Sequence, residues 1–420
     1  MTFGLITSFL VNVIGEESVY HIKPTAISQC LNKDYCITLS MLAANTSNYI
    51  NSNTTLLFHD RNYTLSAKFI VSDLDGHSEL LSTGDSIMTR ITCNENASII
   101  FTNVSQLRII GLEFVRCSCV VELVDNFILE DAAFYNVNGC SALQVIYSVA
   151  NIVNASFTSN TFSSHQCHLS YFESSARFGG GALKFTRSIA VIITSRFESN
   201  SAKVGGALFL DLGSNVSISH SLFIGNDAAN CSSNHCGGGA IFIGSFCNVT
   251  SNDNLYVNNT SESNGGAIAL LQGTFWDTHS VLQYNQASMS GGVIFSYGNS
   301  TIKVTNSSFL SNRANNKGGA VYLQQHSNII VNGSYFNTNE AGNDGGVGCA
   351  EFNSNIILSH SVFSSNEGGA NGGVVHVYSI STITMIKSYF SNNRAGANGG
   401  VVNVHFISGI TTIELSLIHI

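Results

Sequence analysis

The chain has 420 residues, a formal net charge of -9 and only 17 Lys plus Arg against 26 Asp plus Glu. Charged residues make up 10% of it, against roughly 25% in ordinary globular proteins, which argues against a solvated helical fold. There is no basic run to bind nucleic acid and no stretch of 18 apolar residues to cross a membrane as a helix.

In chain order, Phe3 to Ile14 is apolar and is followed by Glu16-Glu17-Ser18. Residues 1–15 read as a secretory signal segment without its usual positive start, or else as a buried first strand. Residues 20–95 lack any repeat, and Ile37 to Ile50 has helical spacing through Leu39, Leu42 and Ala43. A solenoid needs an end cover with one polar face, so this region is expected to be an N-terminal α+β cap. Repeats occupy 96–414. They open with shorter turns ending at Phe114, Phe134 and Phe157, spaced 20 and 23 residues apart. A loop from Thr161 to Phe178 carries His165, Cys167 and His168, and an expansion from Asn230 to Cys236 interrupts the later period.

Two columns run in phase through the remainder. Gly-Gly pairs begin at Gly205, Gly238, Gly265, Gly291, Gly318, Gly345, Gly372 and Gly399, and the intervals from Gly291 onward are each 27 residues. An aromatic or Leu with Asn three places later recurs as Phe197/Asn200, Phe223/Asn226, Tyr256/Asn259, Leu282/Asn285, Phe309/Asn312, Phe336/Asn339, Phe363/Asn366 and Phe390/Asn393. Such a period means a solenoid, propeller or array. The repeats are rich in Asn, Ser, Gly, Thr and β-branched residues and alternate with period two, which excludes helices. A repeat of 27 residues is too short for a propeller blade. Three short strands and three turns fit it, giving a right-handed parallel β-helix of about eleven turns.

In that coil each residue stacks on its counterpart about 4.8 Å away. Phe309, Phe336, Phe363 and Phe390 should form an aromatic ladder, and Asn312, Asn339, Asn366 and Asn393 a ladder of side-chain amides at a bend. The glycine pair supplies positive φ or room for close approach. Ser327, at a presumed turn, should tolerate replacement. Hydrophobic alternation turns Val321 and Leu323 inward. The residue between the inward pair is in turn Phe209, Phe242, Ala269, Phe295, Tyr322, Cys349, His376 and Asn403, so alternation turns the rings of Phe209, Phe242, Phe295 and Tyr322 outward as a candidate binding stripe. The opposite register would bury them.

The GGAIFI and GGALFL turns, coupled to FLSN, FNTN and FSSN, resemble the GGA[IVL] and FxxN repeats of chlamydial polymorphic outer-membrane proteins and of sponge-type animal β-helix proteins. The likeness covers about Phe101 to Ile413. In the bacterial family it implies an adhesive passenger tethered by a C-terminal barrel, which this chain lacks; membrane contact is expected only through a C-terminal anchor beyond it. Leu415 to Ile420 resembles a translated sequencing-library transposon end, so 415–420 reads as a non-native tail and the chain as a fragment.

Polysaccharide hydrolysis needs paired carboxylates, whereas Asp211, Asp227, Asp253, Asp277 and Asp344 fall at different points of the repeat and read as solvated turn residues. No catalytic residue, cofactor or metal is assigned. Cys231-Ser-Ser-Asn-His235-Cys236 lacks the four-ligand spacing of structural zinc, and Cys231 with Cys236, like Cys30 with Cys36, brackets a short polar loop suited to a disulfide. Fourteen Asn-x-Ser/Thr sequons point the same way, toward export. The expectation is a non-enzymatic extracellular or cell-surface module binding a glycan or protein on a β-helix face. The alternative is a β-helix lyase or hydrolase acting on polysaccharide.

Overall fold

Residues 318–344 show how one repeat folds. Four short strands, Val321–Gln324, Asn328–Asn332, Tyr335–Asn337 and Glu340–Ala341, follow one another. Each pairs in parallel with its counterpart 27 residues on, as in Val321↔Gly348, Asn328↔Asn355, Tyr335↔Val362 and Glu340↔Glu367. The fourth strand is one more than the repeat length alone suggested. It is only two residues long, too short to show a period of its own. Corners fall where a residue with positive φ precedes a buried polar one: His326 (φ 64) before Ser327, Gly333 (φ 60) before Ser334 and Thr338 (φ 55) before Asn339. The glycine pair makes the closing corner. Gly318 has φ 63, and a Cβ on Gly319 would lie 2.2 Å from the Gly346 carbonyl oxygen, so the first glycine supplies the turn and the second the close approach.

The computed structural model describes residues 9–12, 17–22, 42–43, 53–82, 88–94, 97–163, 179–230, 236–406, 408–413 and 416–418. The chain is an all-β, right-handed parallel β-solenoid of about 12 turns, with nearly no helix among the described residues. It divides into two compact units, the first Met1–His168 with Ala182–Arg196 and the second Leu169–Gly181 with Phe197–Ile420.

In the first unit the coil starts well before the sequence repeat. Glu17–Ile22 pairs in parallel with Thr54–Phe58, which pairs with the end of Phe69–Ser82. The segment expected to be an α+β cap is therefore largely coil among its described residues, with Leu42 and Ala43 alone helical. Its Leu56, Phe58 and Leu80 bury as in later turns; without glycine pairs or the Phe/Asn spacing, nothing in the sequence aligned them. Phe9–Asn12 forms an antiparallel strand with Glu17–Tyr20. Cys30 and Cys36, and the loop carrying His165, Cys167 and His168, lie outside the described residues. At the other end, in the second unit, Ser416–Ile418 pairs in parallel with Tyr389–Ser391, one further rung.

The second unit is held by two buried columns inside the coil. Rings stack at 4.7 Å for Phe197 on Phe223, 4.6 Å for Phe309 on Phe336, and 5.0 Å for both Phe336 on Phe363 and Phe363 on Phe390. Beside them runs the Asn ladder. Asn339 Oδ1 accepts from both the backbone N–H and the side-chain amide of Asn312, at 3.1 and 2.9 Å, while its own amide donates to the Phe309 carbonyl at 3.0 Å. Asn366 and Asn393 repeat this pattern.

A third column corrects the expected binding stripe. Phe209, Phe242, Phe295 and Tyr322 are 6%, 6%, 1% and 7% exposed. They do face away from the coil interior, opposite Leu208, Leu210, Val321 and Leu323, so the alternation holds. The outer face is nevertheless covered, because the lead-in to each glycine pair folds back across it. Val204 and Cys236 pack into this cluster, and a Cβ on Gly179 would lie 2.1 Å from the Phe209 ring. The rings stack there, Phe209 on Phe242 at 5.3 Å and Phe295 on Tyr322 at 5.8 Å. They form a second core.

Candidate functional site

The outer core turns polar toward its C-terminal rungs. Tyr322 donates a hydrogen bond to Glu351 Oε2 at 2.8 Å, and Lys317 Nζ lies 2.5 Å from Glu351 Oε1. His376 follows two rungs after Tyr322, with its Nδ1 buried and unpaired. Burial raises the Tyr322 phenol, aided by the Glu351 charge, and lowers the His376 imidazole. Burial also opposes charge on Lys317, but the Glu351 contact outweighs it and leaves Lys317 above its ordinary value. Acid-base groups gathered in this way can mark catalysis. Here Glu351 is 5% and His376 6% exposed, so both are shielded from solvent beside the outer core.

Asp277 is also not the solvated turn residue that its position suggested. It is fully buried and accepts hydrogen bonds from Ser251 at 2.6 Å and Ser307 at 2.7 Å. Burial lifts its carboxyl above the usual range. The remaining acids do not join it, and no group of three or more metal-ligating side chains occurs among the described residues. Cys236 is disulfide-bonded, which removes it as a zinc ligand; its proposed partner Cys231 lies outside the described residues. Cys93 and Cys117 form a disulfide that sequence spacing did not single out. They lie 24 residues apart, about one short turn, so the coil stacks them on neighbouring rungs.

Beside that disulfide, within the first unit, lies a groove of about 1180 Å³. Ser66, Lys68, Asn94, Arg116, Asn136 and Gln144 line it, and among the described lining residues there is no Asp, Glu or His. Asn94 donates weakly to Ser66 at 3.5 Å, and Arg116 is exposed at a corner with φ 58. Val120 and Gln144 stack on adjacent rungs at its floor, 6% and 3% exposed. The Gln144 amide makes no hydrogen bond among the described residues and lines the groove. The groove exists because these turns are shorter, spaced 20 and 23 residues instead of 27. They have no glycine pair, and among the described residues no lead-in crosses the outer face. Shorter spacing was legible in the sequence; the cavity it leaves was not.

Against known proteins, the Chlamydia polymorphic membrane protein (Chlamydia_PMP) repeat matches residues 306–324. The chain is a β-helix repeat protein like those membrane proteins. No curated protein matches it. Among solved structures, the periplasmic alginate epimerase AlgG matches over 84% of this chain and 85% of its own, at 11% identity and a TM-score of 0.46. PfbA, a surface adhesin of Streptococcus pneumoniae, matches over 85% and 86% at 12% identity and a TM-score of 0.33. The catalytic domain of an α-1,3-glucanase in complex with nigerose matches over 85% and 64% at 8% identity and a TM-score of 0.29. A fold does not fix a function, which must be argued from the site.

Proposed function

We propose that this chain is a non-enzymatic recognition module of the extracellular space or cell surface, and that the groove of its first unit holds a glycan. The observation that carries this reading is the groove lining: hydroxyls, amides and two basic side chains around the Gln144 amide, with no carboxylate among the described lining residues. Amides and hydroxyls match the alternating donors and acceptors of sugar rings, and Lys68 with Arg116 adds a preference for acidic sugars. Hydrolysis would require a pair of carboxylates at the cleaved bond, and none is among the described residues that line this cavity. Disulfides and surface sequons support export.

The test is glycan-array and calorimetric binding with the purified chain. Arg116→Ala combined with Gln144→Ala should weaken binding to an acidic oligosaccharide at least tenfold while the melting temperature stays within a few degrees. Added salt should weaken binding modestly, as two charges imply. Unchanged binding by the double variant would remove the groove as the site. Steady release of shortened or unsaturated sugars by the wild-type chain would favour the polysaccharide-active alternative.

A further inference from the structure

Strand alternation sorts the sequons. In Asn-x-Ser/Thr the acceptor and its hydroxyl partner are two residues apart, so on a strand both point to the same face. Asn215 and Ser217 are both exposed on the strand Asn215–Ser219, and Asn248 and Thr250 on the strand Asn248–Asn252. Asn258 with Thr260, and Asn299 with Thr301, are likewise exposed at corners of the same unit. The overlapping sequon Asn259-Thr260-Ser261 has the opposite parity. Asn259 is 0% and Ser261 3% exposed.

Hydrogen bonding separates these sites further. Both amide hydrogens of Asn259 are committed, to the Phe223 carbonyl and to Asn285 Oδ1, each at 3.0 Å. A glycan would replace one of those hydrogens and require space inside the coil. Asn248 commits one amide hydrogen, to Asn215 Oδ1 at 2.7 Å, and can keep it while the other is substituted.

We propose that Asn215, Asn248, Asn258 and Asn299 are N-glycosylation sites and that Asn259 is not, although its sequon is intact. This rests on the proposed export of the chain. The reaction takes an oligosaccharide from a lipid-linked diphosphate donor: the asparagine Nδ2 bonds to the first sugar carbon and loses a proton, and the lipid diphosphate leaves. A chain modified at Asn259 could not close the ladder and would be lost before secretion. The sugars then clothe the outward face of the second strands at Asn215 and Asn248 and the corners at Asn258 and Asn299, which any partner must avoid.

The full chain is secreted from animal cells in two forms, with its own N-terminus and with an added leader. Peptide N-glycosidase digestion in heavy-oxygen water marks every occupied asparagine for mass spectrometry. Label at the four exposed sites, with Asn259 unlabelled, is the expected result. Label at Asn259 in secreted protein, or none at the four exposed sites with the added leader, would overturn the proposal. Correct labelling only with the added leader would support these sites while counting against export by the native N-terminus. Ser261→Ala, which removes the Asn259 sequon but not that of Asn258, should leave the glycan mass unchanged; the loss of one glycan would also overturn it.

Discussion

Asn312 shows what a single ladder residue carries. Its Oδ1 accepts from the backbone N–H and the side-chain amide of Asn285, at 2.9 and 3.1 Å, and its own amide donates to the Leu282 carbonyl at 2.9 Å. Asn312→Ala would orphan several buried groups at about 1 to 3 kcal/mol for each left unsatisfied, so a loss of at least ~2 kcal/mol in denaturant titration is expected. Ser327 is subtler. It is fully buried and donates to the Gln324 carbonyl at 2.8 Å, while its N–H donates to Ser354 Oγ at 3.2 Å. Ser327→Ala should therefore cost about 1 kcal/mol or more, not the near-neutral change expected of a surface turn. Asp277 supplies a pH test. Its carboxyl is raised in the folded state by burial, so its contribution is most favourable below the unfolded carboxylate range and is lost as pH rises through the folded value. Asp277→Asn should gain stability relative to wild type between pH 4 and pH 7, and a stability difference independent of pH would refute this.

At the scale of the element, the first strand of each repeat has two cores, one on each face. Phe336→Ala in the inner stack should cost about 3 to 5 kcal/mol, since a ring between Phe309 and Phe363 leaves a cavity that its neighbours cannot fill. Phe242→Ser with Tyr322→Ser in the outer core should lower the melting temperature sharply instead of abolishing binding selectively, because both side chains are more than nine-tenths buried. The Tyr322 change also strips Glu351 of a donor. Lys317→Met would leave that buried carboxylate without its cation, and removing one partner of a buried pair costs more than the pair contributes.

At the scale of the whole molecule, repeat arrays unfold through nearest-neighbour interfaces, so damage stays local. Removing the Cys93–Cys117 disulfide, which closes a separation of 24 residues, should cost about 3 kcal/mol through the unfolded chain. Hydrogen exchange should then rise across the neighbouring rungs 97–163 well before residues 300–400 respond. A uniform rise over both units would mean that the coil opens as one body.

By itself the sequence determined the period, the parallel coil, the glycine corners and the pairing of Phe336 with Asn339, because these depend on residue type repeated in phase. Tertiary structure decided three other things. Early turns such as Thr54–Phe58 belong to the coil although they share none of its repeat residues, since backbone pairing asks only for an extended chain with apolar side chains inward. Phe242 and Tyr322 point outward, as alternation requires, yet they are buried, because periodicity assigns a face but not what folds over it. The groove at Gln144 arises where short turns stack, and a cavity between rungs has no residue pattern by which a sequence could announce it.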